Sequence, residues 1–187
     1  MAVLAKVEGS VGAQIVHVVK GETLTGADLR YGSGATAFYT PKLDLGALVW
    51  KRTEPGPAFD VKLSEILDLL VATGEALRKD ENGFMAEAAE QALFNSPYDA
   101  GIIARSYQRL PEMFSFDRMM SFVEGEIGDV RLLDGWVPFK NRIGGKGSIR
   151  AFPPRLVHVL AGNAPGVAAN SIIRGAITKG VNLLKLP

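Results

Sequence analysis

Apolar positions change their spacing along the chain, and each spacing predicts a different kind of element. In residues 13–19, 34–40 and 46–52, short runs of β-branched and aromatic residues alternate with Gly and Pro, which is typical of strands. In residues 61–79, apolar side chains recur every three or four positions, which is the period of an amphipathic helix. The Pro-Gly-Pro content of residues 53–60 predicts a loop between these two regions.

Four helices are expected between about residues 60 and 130. Asp60 is the expected N-cap of the first, and the stretch "FMAEAAEQALF" of the second is rich in good helix formers. Ser96 is expected to cap the third helix, and Pro97 to be its first residue. Proline is tolerated there because the N–H that it lacks would have no partner within the helix. Ser115 is expected to begin the fourth. Four short helices whose surfaces mix apolar and polar residues are expected to pack against another part of the protein.

Residues 130–154 return to a strand-like pattern that contains the glycine-rich stretch "GGKG". A phosphate-binding loop requires Gly, four variable residues, then Gly-Lys-Ser/Thr ahead of a helix. Here Lys146 is followed by Gly147 and a strand-like segment. The pattern therefore predicts a hairpin turn.

The C-terminal residues predict a strand, a helix and a second strand. The run "RLVHVL" (155–160) is almost entirely apolar, as in a strand that is buried on both faces of a parallel sheet. Pro165 suits the first turn of a helix with many small residues. Lys179 and Gly180 are expected to end that helix, with the glycine in the left-handed conformation, before the strand "VNLLK".

A short crossover of this type predicts two parallel strands, whose carboxyl ends face a ligand crevice. Residues 162–165 and 185–187 should therefore lie side by side. The spacing of Gly162 and Gly166 differs from the dinucleotide fingerprint Gly-x-Gly-x-x-Gly. On spacing alone, Asn163 is either a helix cap or a ligand-binding group, and Lys185 either a surface side chain or a ligand-binding one.

Composition and charge exclude several classes of function. Apolar residues make up 47% of the chain, and 21 basic and 20 acidic residues give a net charge of +1 without blocks of one sign. This balance predicts no nucleic-acid or membrane-surface partner. No apolar run is long enough to span a bilayer, and no secretory signal is visible, so a cytoplasmic protein is expected. The absence of cysteine and the presence of two histidines predict no metal site.

The stretch "HVLAGNAPGVAANSIIRGAITKGVNLLKLP" resembles the start of the nucleotide-binding domain in the aldehyde dehydrogenase superfamily, and more closely that of the LuxC-type acyl-CoA reductases. The shared pattern is a strand, an Asn-x-Pro turn, a helix, and a strand that ends in Lys-x-Pro. The resemblance implies an α/β fold in two parts. Residues 1–150 would form an N-terminal region of strands and helices, and residues 151–187 the beginning of a Rossmann-like parallel sheet that binds NAD(P).

The resemblance also implies an activity and roles for individual residues. The LuxC-type enzymes reduce a fatty acyl thioester to an aldehyde with NADPH, through an acyl-enzyme on a cysteine, and supply aldehyde for bioluminescence. Asn163 would stabilise the oxyanion at the substrate carbonyl as a catalytic residue. Gly162, Pro165 and Lys185 would form the cofactor-binding set, in which Lys185 bonds the adenosine ribose of NADP, or of NAD as the alternative. His158 is expected to be a satisfied structural histidine.

The resemblance implies partners as well, and the chain departs from the family in one respect. An acyl-CoA or other acyl thioester would be the substrate, and the protein would form a homo-oligomer; luminous relatives work with an acyl-transferase and an acyl-protein synthetase. Because the chain lacks cysteine, we expect it to be the N-terminal part of a longer enzyme and inactive alone. The strand at 181–187 is expected to expose an apolar edge that drives association.

Two alternatives remain open from the sequence. One is a different member of the same superfamily, either a CoA-acylating or a free-aldehyde dehydrogenase. The other is a binding or assembly module without catalysis.

Overall fold

A computed structural model describes residues 13–34, 37–162 and 164–186. The chain divides into two compact units, Met1–Glu54 and Pro55–Pro187. The predicted boundary between residues 150 and 151 concerns the start of a cofactor-binding domain, and it stays a prediction. At the level of class, the prediction is confirmed: the protein mixes helices with small sheets. The finer assignment to a Rossmann-like aldehyde dehydrogenase fold stays a prediction.

The first unit holds short strands and one turn of helix. Its elements are β1 (Ala13–Gln14), β2 (His17–Val19), β3 (Glu22–Leu24), β4 (Leu29–Tyr31), β5 (Phe38–Thr40) and α1 (Leu45–Leu48). β5 pairs in parallel with β1 and antiparallel with β4, and β2 and β3 form a hairpin.

The strand predictions for this unit are confirmed only in part. Residues 13–19 contain two short strands, and the strand expected in 34–40 covers Phe38–Thr40. The strand predicted at 46–52 is wrong, because α1 occupies its start. Asp44 caps that helix by accepting a hydrogen bond from the Gly46 backbone N–H over 2.9 Å. The local cap outweighs the strand propensity of the residues that follow.

The helical block between residues 60 and 130 is confirmed. Its elements are α2 (Leu63–Lys79), α3 (Phe84–Asn95), α4 (Ala100–Arg109), a 3-10 helix (Leu110–Phe114), α5 (Phe116–Glu126) and a second 3-10 helix (Val130–Leu133). The second 3-10 helix lies at the beginning of the region 130–154, where the sequence predicted a strand.

Two of the predicted helix starts are wrong, and both differ because another carboxylate supplies the cap. α2 begins after Asp60, at Leu63, whose backbone N–H donates to Asp134 Oδ1 over 2.9 Å from 71 residues away. The helix expected at Ser96 begins at Ala100, after Asp99 accepts from the Gly101 backbone N–H. Ser115 does stand at the N-cap of α5, as predicted.

The glycine-rich stretch forms the predicted hairpin. β6 (Val137–Lys140) and β7 (Lys146–Ile149) pair antiparallel. In the turn, Asn141 Oδ1 accepts from the backbone N–H groups of Ile143 and Gly145. A strand, rather than the helix that a phosphate loop needs, begins at Lys146.

The last three elements are β8 (Arg155–Val159), α6 (Pro165–Ile177) and β9 (Val181–Lys185), as the pattern predicts. β8 and β9 are parallel, with Arg155 opposite Val181 and Val159 opposite Lys185. The expectation that β8 is buried on both faces is wrong. Its side chains alternate, and Val157 and Val159 are 70% and 77% exposed on one face.

The main core lies where α2, the 3-10 helices, α5 and α6 meet. Its buried side chains are Leu63, Ile66, Leu67, Leu70, Phe114, Met119, Val123, Leu133, Ala169, Ile173 and Ile177. This packing fixes α6 against the helical block, and α6 in turn connects the two parallel strands.

Candidate functional site

The carboxyl ends of β8 and β9 meet at one edge of the small parallel sheet. The backbone N–H of Leu160, just past β8, donates to the carbonyl of Lys185 over 3.0 Å. Lys185 ends β9 and is exposed, and Gly162 is exposed in the turn after β8. Two of the predicted cofactor-binding residues therefore belong to segments that the sheet brings together.

The turn between β8 and α6 leads into the helix as expected. Pro165 is the first residue of α6 and is half-buried, after Ala164 in an extended conformation. Asn163, the predicted catalytic residue, lies outside the described residues. Its role and the roles of Gly162, Pro165 and Lys185 stay predictions.

A cavity of about 290 Å³ opens beside the first turn of α6. Ala164, Pro165 and Gly166 line one side of it, and Arg109, Met113 and Arg118 from the helical block line the other. A Cβ atom on Gly166 would lie 3.4 Å from Met113 Sδ, so this side chain touches the start of α6. The cavity therefore adjoins the turn that carries the predicted site residues.

Charged side chains line this cavity. Glu112 Oε2 lies 3.6 Å from Arg109 Nε and 3.4 Å from Arg118 Nη2. All three side chains are largely exposed, so these ion pairs are loose and contribute little to stability. The group carries a net positive charge, because one carboxylate faces two guanidinium groups.

A second cavity, of about 140 Å³, continues along α6 and is mostly apolar. Met113, Met119, Phe122 and Ile173 line it, and Arg174 lies at its border. Sequence reasoning missed both cavities. Their walls come from the 3-10 helix Leu110–Phe114, α5 and α6, whose juxtaposition no local pattern indicates.

His158 has a polar partner, as predicted. Its Nε2 lies 3.1 Å from Oδ1 of Asn182, and Asn182 Nδ2 donates to the Gly180 carbonyl over 2.7 Å. The Asn182 side chain also packs on Gly175 of α6, where an added Cβ would lie 2.3 Å from Asn182 Oδ1. These contacts hold α6 close to β9, and they give His158 a structural role.

The turn from α6 to β9 departs from the prediction. Lys179, rather than Gly180, takes the left-handed conformation, with φ of +56°. The N–H groups of Lys179 and Gly180 bond the carbonyls of Ala176 and Gly175, which is a Schellman ending. The Lys179 side chain is buried, with its Nζ 2.6 Å from Asp134 Oδ1.

Asp134 thus serves two elements with one carboxylate oxygen. Burial raises its pKa, but hydrogen bonds from the Lys179 ammonium and the Leu63 backbone N–H outweigh burial, so the pKa lies below its ordinary value. The carboxylate is therefore ionised at neutral pH and ties the start of α2 to the end of α6.

The described residues form neither a metal-binding group nor a membrane-spanning helix. Within residues 13–34, 37–162 and 164–186, no group of three or more His, Asp or Glu side chains could hold a metal ion. Over the same residues, every helix is too short or too polar to cross a membrane.

Comparison with known proteins identifies relatives of this chain. A family model described as "Acyl-CoA reductase (LuxC)" matches residues 58–186, which is more than half of the chain. The chain is also 26% identical over 132 residues to a Vibrio harveyi protein named "Long-chain acyl-protein thioester reductase". That alignment covers 68% of this chain and 26% of the relative, so the chain matches about a quarter of the relative's length.

Proposed function

The chain belongs to the LuxC family of acyl-CoA reductases, and from this membership we propose that it is part of an NADPH-dependent enzyme that reduces a fatty acyl thioester to an aldehyde. The match over residues 58–186 carries the proposal, because it spans both the helical block and the β8–α6–β9 unit. The acyl donor is a fatty acyl-CoA or another acyl thioester.

Asn163 is proposed to stabilise the oxyanion that forms when a nucleophile attacks the thioester carbonyl. A neutral side-chain amide donates a hydrogen bond to the developing negative charge without a change in protonation. Pro165 fixes the first turn of α6 two residues later, and so limits the conformations of the segment that carries the amide.

The nucleophile is proposed to be a cysteine that lies outside these residues, since the chain has none. A thiolate attacks the thioester carbon, the original thiol leaves, and an acyl-enzyme forms. We therefore expect no aldehyde formation from the 187-residue chain alone.

NADPH is the cofactor that this function implies, with NAD as the alternative. Two features of the described residues fit a dinucleotide: the exposed cation of Lys185 at the carboxyl end of β9, and exposed Gly162 after the neighbouring strand. Lys185 is proposed to donate to the adenosine ribose, and Gly162 to allow close approach of the backbone. The bound cofactor supplies the hydride.

The name of the Vibrio harveyi relative favours a second donor, an acyl group carried on a protein. Such a donor implies partners that deliver it, of the acyl-transferase and acyl-protein synthetase kinds, and we propose that the reductase works as a homo-oligomer. Acyl-CoA and acyl-protein donors both react at a thioester carbonyl, so the proposed role of Asn163 is the same for either donor.

Aldehyde formation tests the proposal. The protein encoded by the complete coding sequence that contains these residues is incubated with NADPH and tetradecanoyl-CoA, and the product is identified by mass spectrometry. We expect tetradecanal with one NADPH consumed per aldehyde, and none from the 187-residue chain. Absence of aldehyde with both acyl-CoA and acyl-protein donors would refute the proposed function.

A further inference from the structure

The two cavities beside α6 adjoin each other along one face of the helix. Gly166 lines the larger cavity, and Asn170 and Ile173 line the smaller one, at the three- and four-residue spacing that shares a helix face. Met113 and Arg118 line both cavities. The two cavities therefore lie next to each other at Met113 and Arg118, and the route from the first turn of α6 past Met113 to the smaller cavity is called the path below.

The smaller cavity suits a hydrocarbon. Met113, Met119, Phe122 and Ile173 supply apolar walls around about 140 Å³, and the other lining residues, Arg118, Asn170 and Arg174, are polar. An apolar cavity of about 150 Å³ holds a molecule the size of benzene, so this one has room for a chain segment of about six carbons. Methionine side chains adapt to flexible apolar ligands, because they have several rotatable bonds and polarisable sulfur.

Arg174 lines the smaller cavity and is the lining residue of α6 farthest from the first turn of that helix. Its guanidinium forms two 3.0 Å contacts with the Glu126 carboxylate, and its Nε donates a hydrogen bond to Asn170 Oδ1 over 3.1 Å. The same group lies 4.1 Å from the centre of the Phe122 ring. The guanidinium thus has three partners and forms part of the cavity wall, although its pair with Glu126 is partly exposed, at 43% and 53%.

We propose that the acyl chain of the substrate runs along this path, and that Met113 and Arg174 set the chain length that the protein accepts. The inference rests on the proposed function, in which the thioester carbonyl sits at Asn163. That residue directly precedes Ala164, which lines the larger cavity. The carbon chain thus starts in the larger cavity and passes Met113 to reach the smaller, apolar one.

Binding of S-alkyl pantetheine thioethers, from butyl to tetradecyl, to the full 187-residue chain tests the proposal. These probes carry no adenosine and no phosphate, so neither the dinucleotide site nor the arginines that line the cavities dominate their binding. Calorimetry should show an affinity that rises about fourfold per methylene until the path is full, and then stays constant.

Two variants should move the limit, which is the chain length beyond which the affinity no longer rises, in opposite directions. Met113→Phe narrows the passage, so the affinity should stop rising at a shorter chain. Arg174→Ala opens the far end, so it should stop rising at a longer chain. The control for Met113→Phe is Met120→Phe, because Met120 is a nearby methionine that lines neither cavity. The control for Arg174→Ala is Arg78→Ala, because Arg78 also pairs with a glutamate but lies on an exposed helix face. Both controls should leave the limit where it is.

The outcomes separate this inference from the proposed function. Affinity that is independent of chain length, or a limit that neither variant moves, would overturn the acyl path even if the complete protein makes aldehyde. A limiting chain length that shifts in the Met113 and Arg174 variants would support the acyl path. This result is independent of turnover, because the measurement is of binding alone.

Discussion

Lys179 buries its ammonium group against the carboxylate of Asp134, with 2.6 Å between Nζ and Oδ1. The lysine is 2% exposed and sits in a left-handed turn between α6 and β9. The same carboxylate oxygen accepts from the backbone N–H of Leu63 at the start of α2. One ion pair thereby joins the helical block to the strand that ends at Lys185.

Asp134→Asn should lower the free energy of unfolding by about 2 kcal/mol, because it leaves the Lys179 charge buried without a counter-ion. This figure is below that for a fully buried pair, since the Asp134 side chain is 29% exposed. Urea unfolding at pH 7 measures the loss. Glu75→Gln, which removes the partner of exposed Arg78, should cost less than about 0.5 kcal/mol. Equal losses in the two variants would contradict a special role for the buried pair.

The same pair predicts a dependence on pH. The pKa of Asp134 is lower in the folded chain than its ordinary value. Its contribution to stability is therefore complete above the unfolded value of about 3.9 and is lost as the pH falls through the folded value. The difference in unfolding free energy between the native protein and Asp134→Asn should shrink below about pH 4. A difference that stays constant down to pH 2 would exclude this titration.

Gly175→Ala should destabilise the chain by about 1–3 kcal/mol, because the new methyl group displaces Asn182 from its contacts with His158 and Gly180. Gly125→Ala on α5 is the control. A Cβ there meets nothing within 4 Å, so the better helix propensity of alanine should stabilise by about 0.5–1 kcal/mol. Thermal unfolding compares the two, and a stabilising Gly175→Ala would refute the close packing of α6 on β9.

The exposed apolar face of the parallel sheet predicts self-association. Val157 and Val159 point to the same side as Leu183, on the face opposite Asn182. The double change Val157→Lys, Val159→Lys should abolish association, as measured by size-exclusion chromatography with light scattering. Val18→Lys, at an exposed valine of β2, is the control and should have no effect. A native chain that stays monomeric at high concentration would contradict the prediction.

Lys185→Ala should weaken NADPH binding to the complete gene product about tenfold, because the ribose loses a hydrogen bond from a charged donor. Lys146→Ala, on the β6–β7 hairpin, removes the same charge away from the sheet edge and should leave the affinity unchanged. Nucleotide fluorescence titration measures both. An equal effect of the two changes would indicate a general influence of net charge.

The elements that the sequence predicts well are those whose signals are local. Pro165 marks the start of α6, and the apolar runs on either side of that helix mark β8 and β9. The resemblance over the same residues led to the family, which the comparison confirms. Local signals sufficed here because a proline at a first turn and a strand pair around one helix depend on few distant contacts.

The features that the sequence did not predict depend on residues far apart in the chain. Asp134 caps α2 from 71 positions away and so displaces the start expected from Asp60. The larger cavity needs Met113, Arg118 and Gly166 to come together from three elements. The exposure of Val157 and Val159 follows from which face of the sheet α6 leaves uncovered, and an apolar run alone does not encode that choice.

The turnover number of Asn163→Ala in the complete gene product tests the central claim most directly. If Asn163 stabilises the oxyanion at the thioester carbonyl, kcat for NADPH-dependent aldehyde formation from acyl-CoA should fall about 100-fold or more, with KM changed little. The far-ultraviolet circular dichroism spectrum and the unfolding midpoint should stay as in the native protein. A variant that keeps the native kcat would contradict the account, because the turn after β8 would then have no part in the reaction.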